Sequence, residues 1–549
     1  MESSSSSTSR SSGSDCFLSE WIRTLVPVGS KAEIIELCKL AGPLLLAQLL
    51  ILAVGFVSTV FCGHLGTTEL AGVTLAIAVI NVTGISVGAG LAGACNTLIS
   101  QTYGGRNLLR VGVILQRAVL ILMLACFPCW AVLINTEPLL LAVKQKPEVA
   151  RLAQLYVKIF MPALPATFTY ALLTRYLQNQ GIIWPQVVTG IVVNLFNALT
   201  NYIFLYVLDL GVAGSALANT LSQYSLATVL GAYIIWRGLH KETWGGWSRE
   251  CLQDWGSYIN LAIPNMIMLC VEWWTNEIGS FLAGLISEVE IGAQSVIYQL
   301  ANVAYMFPFG FSIAGNVRVG NALGAGDTKQ AKLSAKLTIF CAGSVSVCLA
   351  IIVGGLKHYI SYVFTCDEQI RGRVADVMSL YAPFIVLDAI FASLGGIIRG
   401  AGKQKIGAIC SIFGYYFVGF PIGVPLMFAA KMGIKGLWTG LFTCVFLQCS
   451  FLIIYLVRMD WRTVTEEAQI RAGVQASSTD TSKRSSQSDD PETLQGLTDQ
   501  AVSETVVKPA ERELPLRTLV LRRGLAVALM LCVLAAGIVM KFLITKLVT

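Results

Sequence analysis

The sequence predicts an all-α polytopic membrane protein: two six-helix lobes related by a pseudo-two-fold axis along the membrane normal, plus an extra C-terminal transmembrane helix. Three observations predict this. The 549 residues are 55% hydrophobic and only 13% charged, with a mean hydropathy of +0.67, against about 25% charged residues in soluble domains. Apolar runs of membrane-crossing length recur along the chain. The first half of that pattern repeats in the second.

Taken in order, the N-terminal stretch Met1–Asp15 is Ser-rich and has neither the basic start nor the apolar run of a signal peptide. Residues 1–37 are therefore expected to be a cytoplasmic tail. Hydropathy places spans one to six at about 41–61, 71–93, 112–135, 152–173, 187–208 and 214–236. They form an N-lobe, residues 38–236. A polar cytoplasmic loop, 237–258, separates it from a C-lobe, 259–458, with spans at about 259–283, 291–315, 333–356, 376–398, 407–429 and 434–457. Residues 459–521 turn polar and read as a disordered cytoplasmic linker, and 522–549 hold a thirteenth span. Lys and Arg in short loops favour a cytoplasmic N-terminus by about two to one, counting Arg175, Arg318 and Arg399 among the inner-loop residues. With thirteen spans the C-terminus is then extracellular.

The repeat has a fixed register. Leu40-Ala-Gly-Pro43 opens span one, and Leu261-Ala-Ile-Pro264 opens span seven, 221 residues later. At the same offset Glu69-Leu70 matches Glu290-Ile291, Pro162 matches Pro383 and Gly181 matches Gly402. Gly104 and Gly324, and Gly211 and Gly433, match with a slip of one residue. Each copy has an even number of spans, so both begin on the same side, which sets the symmetry axis along the membrane normal. Pro43, Pro162, Pro165, Pro264 and Pro308 fall inside spans and predict kinks.

The copies differ in charge. Glu272, Glu277 and Asp388 stand where the first copy has Ile51, Phe56 and Thr167. A carboxylate at membrane depth costs a few kcal/mol, so three in one lobe point to function. Glu272 is mid-span and is followed by Trp273 and Trp274, whose ring faces attract cations. Glu277, five residues on, lies about 140° around the helix. Tyr298 and Tyr305, seven apart, share a face, with Gln299 beside the first; Gln48 and Asn81 are neutral amides at depth in the first lobe.

Several classes are disfavoured. No phosphate-binding GxxxxGK[ST] is present, and Gly324-Ala-Gly-Asp327 reads as a structural turn, so an ion gradient is the expected energy source and no cofactor is expected. The histidines His64, His240 and His358 are scattered, and Cys126 and Cys129 sit in an apolar span, as packing thiols do.

The chain resembles the multidrug and toxin extrusion (MATE) family in its vertebrate form, over about residues 38–458. The resemblance lies in Val60-Phe-Cys-Gly-His-Leu-Gly66, Ala76-Ile-Ala-Val-Ile-Asn-Val-Thr83, Leu98-Ile-Ser-Gln-Thr-Tyr-Gly104, Val317-Arg-Val-Gly-Asn-Ala-Leu-Gly-Ala-Gly326 and Gly395-Gly-Ile-Ile-Arg-Gly400. It implies exchange of external protons for internal organic cations at the plasma membrane, and extends to apical sorting. It assigns proton coupling to Glu272, Asp388 and Glu277. It assigns cation contacts to Trp273, Trp274, Tyr298 and Tyr305, with Gln48, Asn81 and Gln299 as polar contacts. Three positions depart from vertebrate relatives: Gln299 and Asp388 replace glutamates, and Asn276 a tyrosine. The expected partners are organic cations, protons and the bilayer, with no nucleic acid, and the chain is expected to be monomeric. A Na⁺-coupled drug exporter and a lipid or oligosaccharide flippase share this architecture and remain alternatives, as do, from another class, a channel and a non-transporting receptor.

Overall fold

The computed structural model describes residues 30–63, 65–363, 367–474 and 515–548. The N-terminal tail to residue 29, His64, and the linker from 475 to 514 lie outside the described residues. The N-lobe contains α1 (Ser30–Gly63) and α2, which runs Thr67–Ile80, passes through a π-helical turn at Asn81–Ile85 and continues as Ser86–Ala92 and Ala94–Gly104. Next come α3 (Leu108–Leu133) and α4, which joins Pro147–Phe160 to Leu164–Gln178 through a 3₁₀ turn at Met161–Ala163. The lobe closes with α5 (Trp184–Tyr202, ending in a π turn, Ile203–Val207) and α6 (Gly211–Trp236).

The C-lobe repeats the plan. Its helices are α7 (Trp255–Gly284), α8 (Glu288–Gly324), α9 (Thr328–Gly355) and α10 (Glu368–Ala401). They are followed by α11 (Gln404–Ile412, a π turn Phe413–Gly419, then Phe420–Phe428) and α12 (Ile434–Arg458). Eleven of the described helical segments are long and apolar enough to cross a membrane. The other two of these spans, α6 and α7, have the length, 26 and 30 residues, but carry more polar side chains. In α7 these include Asn265, Glu272, Asn276 and Glu277.

The repeat extends to backbone detail. Gly181 and Gly402 both take the left-handed conformation, φ 78° and 73°, and Gly211 and Gly433 follow at 56° and 60°. Glycine takes a positive φ without a Cβ penalty, so Gly181 and Gly402 follow the ends of equivalent helices, and Gly211 and Gly433 stand at the starts of α6 and α12. Each lobe has its own apolar core. A third cluster, including Leu37, Ala41, Leu44, Ile313, Ala314, Val317 and Leu337, joins them. Of the prolines within spans, Pro162 coincides with a change of helix type; α1, α7 and α8 run on through Pro43, Pro264 and Pro308.

Three boundaries differ from those expected. α1 starts at Ser30, within the stretch assigned to the tail, because Glu33 in its first turn is buried against Arg318, Gln330 and Ser334 of the other lobe. Arg175, Arg318 and Arg399 lie inside α4, α8 and α10 rather than in loops. The stretch assigned to a linker opens instead with a helix, α13 (Trp461–Ala472). Asp460 caps it by accepting the Arg462 amide at 3.0 Å, and Gly473 ends it in the left-handed conformation. Its buried residues Trp461, Val464, Thr465, Ala468 and Ala472 recur on one face.

The last helix, α14 (Leu516–Val548), lies on the outside of α3. Asn135 Nδ2 donates to the Gly537 carbonyl at 2.9 Å, and Arg523 covers the Trp255 ring at 4.1 Å.

Candidate functional site

The lobes meet along two antiparallel helix pairs at the end where α1 and α7 begin. Along α7 and α2 the contacts form a ladder. Tyr258 hydrogen-bonds the Leu91 carbonyl at 2.9 Å, and Asn265 Nδ2 the Gly90 carbonyl at 2.7 Å. Cys270 Sγ lies 3.6 Å from Ser86 Oγ, and Trp274 Nε1 donates to the Val82 carbonyl at 3.1 Å. Small residues allow the approach: a Cβ on Gly90 would overlap the Met266 backbone. The last rung falls in the π turn that begins at Asn81. The symmetry-related pair, α1 and α8, closes around Glu33–Arg318 and the close approach of Gly310 to Ala41 and Leu45. The ends of α2 and α8 pack reciprocally, since a Cβ on Gly104 would strike Asn321 and one on Gly324 would strike Gln101.

Glu272 lies between the last two rungs of this ladder. It is two residues from both Cys270 and Trp274, so it points to the opposite side of α7, into the C-lobe. There Tyr305 of α8 is within hydrogen-bonding reach of its carboxylate. Asp388 of α10 lies within charge range, as does Arg399 one helical stretch further along α10. Tyr415 of α11 lies within charge range of both acids, and Tyr381, seven residues before Asp388 and on the same face of α10, within range of the latter. Arg399 Nη2 donates to Ser312 Oγ at 3.0 Å. Among the described residues it forms no ion pair with Glu272 within contact distance, and it acts on that acid through its field. Glu272 and Asp388 both keep partial access to solvent.

The structure thus gathers Glu272, Asp388 and Tyr305 in one place. Glu277 stands apart, as its 140° offset requires, with Tyr298 as its neighbour; Tyr298 also senses Glu272. The other expected contacts separate from this group. Trp274, 42% exposed, ties α7 to the N-lobe, and Trp273 is half-buried beside it. Gln299 is exposed on α8. Gln48 follows Ala41 and Leu45 on the face of α1 that meets α8, and Asn81 opens the π turn. No hydrogen bond joins Gln299, Gln48 or Asn81 to the acids among the described residues. The acidic site therefore belongs to the C-lobe interior and opens beside the seam; it is not shared equally by the two lobes.

Arg399, Tyr381 and Tyr415 were not anticipated. Arg399 lies in a stretch already singled out, Gly395–Gly400, but was counted with the loops. Tyr381 shares the seven-residue spacing used for Tyr298 and Tyr305. Tyr415 sits in the π turn of α11, whose register an α-helical reading misplaces.

The N-lobe has no carboxylate at the positions equivalent to Glu272, Glu277 and Asp388, and one of its interior networks is neutral. Asn197 Nδ2 donates to Ser222 Oγ at 2.8 Å, Ser58 Oγ to Asn197 Oδ1 at 3.4 Å and Asn201 Nδ2 to the Asn197 carbonyl at 2.9 Å. Cys126 and Cys129 are buried free thiols.

Two repeated six-helix lobes, one with a charged interior beside their seam, define a membrane transporter. The MatE family matches residues 43–203 and again 264–424, the two stretches offset by the same 221 residues as the internal repeat. The chain is 60% identical to multidrug and toxin extrusion protein 1 of Danio rerio, over 96% of this chain and 93% of that one. It is 57% identical to multidrug and toxin extrusion protein 2 of Mus musculus, over 81% and 78%. Among solved structures, the eukaryotic MATE transporter AtDTX14 superposes with a TM-score of 0.78 at 28% identity, covering 81% of this chain and all of that one. The chain belongs to the MATE family of multidrug and toxin extrusion transporters.

Proposed function

We propose that the protein exchanges protons for organic cations across the plasma membrane, with its N-terminus in the cytoplasm, its C-terminus outside and the α7–α2 ladder on the cytoplasmic side. The observation that carries this reading is the charge composition of the C-lobe interior: two carboxylates, Glu272 and Asp388, lie within charge range of each other, and a single guanidinium, Arg399, lies within range of Glu272. With both acids ionised the group carries one excess negative charge at membrane depth, which is costly. One organic cation cancels it, and so does one proton on either acid. The two cargoes compete for the same charge, and that competition is antiport.

The remaining residues support this chemistry. Tyr305 places a hydroxyl beside Glu272 and its ring stacks on Phe309 at 5.7 Å, giving an aromatic surface next to the acid. Glu277 and Tyr298 offer a second acidic and aromatic pair nearer the C-terminal end of α7. The ladder ends at Trp274–Val82, beside Glu272. Separation of the lobes from the closed end must therefore pass the level of the acids, which couples site occupancy to lobe movement.

The experiment is uptake of a permanently charged organic cation into proteoliposomes under an imposed pH gradient, with choline replacing Na⁺. Gradient-driven, Na⁺-independent accumulation supports proton exchange; accumulation that requires Na⁺ rejects it.

A further inference from the structure

Two adjoining cavities of about 750 and 150 Å³ open at the closed end of the molecule, away from Glu272 and Asp388, and share Asp254, Ser257 and Arg471 in their walls. Cations dominate them. Lys403, Lys405 and Arg471 line the larger, and Arg110, Arg117 and Arg471 the smaller. Against these five stand Asp254, 3.6 Å from Arg117, and Glu467, which pairs with Lys403 at 2.8 Å and Arg471 at 2.9 Å. Among the described residues, three positive charges are left without a counter-charge. Arg110 and Lys405 make no hydrogen bond or ion pair among the described residues. Arg117 is only 7% exposed, yet its Nε has no partner. Arg523 of α14 adds further positive field from beside Trp255. Neutral donors complete the wall: Ser257, Asn260 and Tyr455 line the larger cavity and are likewise unbonded among the described residues.

Lys405 is exposed and Arg110 half-buried; a half-buried guanidinium without a partner is costly, and guanidinium forks with hydroxyl and amide donors suit phosphate oxygens. The larger cavity is within the size range of small-molecule sites. Basic pockets between membrane helices at the positive face recognise phosphorylated lipid headgroups. We propose that this cleft binds a polyphosphorylated anion, presented either by a phosphoinositide headgroup in the membrane or by a free inositol phosphate.

The cleft draws on both lobes. Arg110 and Arg117 come from α3 of the N-lobe, and Lys403 and Lys405 follow α10 of the C-lobe. Arg471 comes from α13, whose end reaches across to the N-lobe: Arg471 Nη1 donates to Gln101 Oε1 at 2.9 Å, and Asn107 Nδ2 to the Ala472 carbonyl at 3.1 Å. An anion held there joins the lobes at their closed end and slows their separation.

The test uses the full chain in phosphatidylcholine nanodiscs. Soluble inositol trisphosphate is titrated by calorimetry. In a parallel arm, nanodiscs containing ~5 mol% phosphatidylinositol bisphosphate are examined for retained lipid by native mass spectrometry. The wild type is expected to bind in at least one arm. The Arg110→Gln/Lys405→Gln variant should bind at least about tenfold more weakly, while Arg110→Lys/Lys405→Arg retains binding. Binding of the soluble probe alone identifies a free anion as the ligand; binding of the lipid alone identifies the headgroup. Failure of the wild type in both arms, or undiminished binding by the neutralised variant, overturns the proposal. Both altered residues lack partners in the fold, and an unchanged elution profile confirms that each variant is assembled.

Discussion

The two lobes share a backbone plan and differ in what they hold inside it. In the N-lobe the positions of the acids hold Ile51, Phe56 and Thr167, and an interior network joins amides and hydroxyls: Asn197 with Ser222, Ser58 and Asn201. In the C-lobe the interior holds Glu272 and Asp388 with Arg399 in range of the first. A neutral network is indifferent to pH. Two neighbouring acids with one base in range of the first are not, because their net charge changes with each proton bound. On the proposed function, the duplication left one lobe as a scaffold and made the other the chemically responsive half. The ladder that ends at Trp274 is where the responsive lobe grips the scaffold.

The comparison can be broken at several points. The largest effect is expected from Glu272→Gln, which removes the excess negative charge. Cation uptake under a pH gradient should fall to that of protein-free vesicles, and full uptake would deny the C-lobe its role. Arg399→Gln comes next. It leaves two acids with no guanidinium and should lower stability by about 2–4 kcal/mol, read from thermal unfolding in detergent. Adding Asp388→Asn should recover much of that loss, because the net charge returns to one negative; simple additivity of the two would sever the link between them. Ile51→Glu places a carboxylate at the N-lobe position equivalent to Glu272, where Ile51 packs against the apolar core. A loss of about 2–3 kcal/mol is expected by the same measurement. A stable variant would show that the N-lobe interior tolerates charge as the C-lobe does. The smallest effect belongs to Trp274→Phe, which keeps the ring and deletes one hydrogen bond worth about 1 kcal/mol. Cysteine cross-linking across α7 and α2 should register a several-fold shift away from the closed arrangement, with proton coupling intact.

Much of this was legible in the sequence, and the exceptions share a cause. Helix number and the repeat follow from hydropathy and from a fixed 221-residue offset, both of which survive errors of a few residues. Glu272, Glu277 and Asp388 stand out because carboxylates are rare at membrane depth. Direction was harder to read. Glu272 and Trp274 are neighbours in the chain yet face opposite lobes, and only the packing of α7 on α2 decides which residue meets which. Arg399 was misplaced because a positive charge near a predicted span end looks like a loop residue; α10 continues past it to Ala401. The helix α13 was missed because composition outweighed its end signals, Asp460 and Gly473, and its apolar face is explained only by the lobe ends it covers. The π turns at Asn81–Ile85 and Phe413–Gly419 shift side-chain register in ways that a 3.6-residue period does not reveal.

The central claim is that one organic cation and one proton contend for a single excess charge held by Glu272, Asp388 and Arg399. The direct test is to count protons released when purified protein binds a permanently charged cation such as tetraphenylphosphonium, by calorimetry in buffers of different ionisation enthalpy. At a pH where the unloaded site is protonated, about one proton should leave per cation bound, and none from Glu272→Gln. Cation binding of wild-type strength with no proton released at any pH would contradict the account.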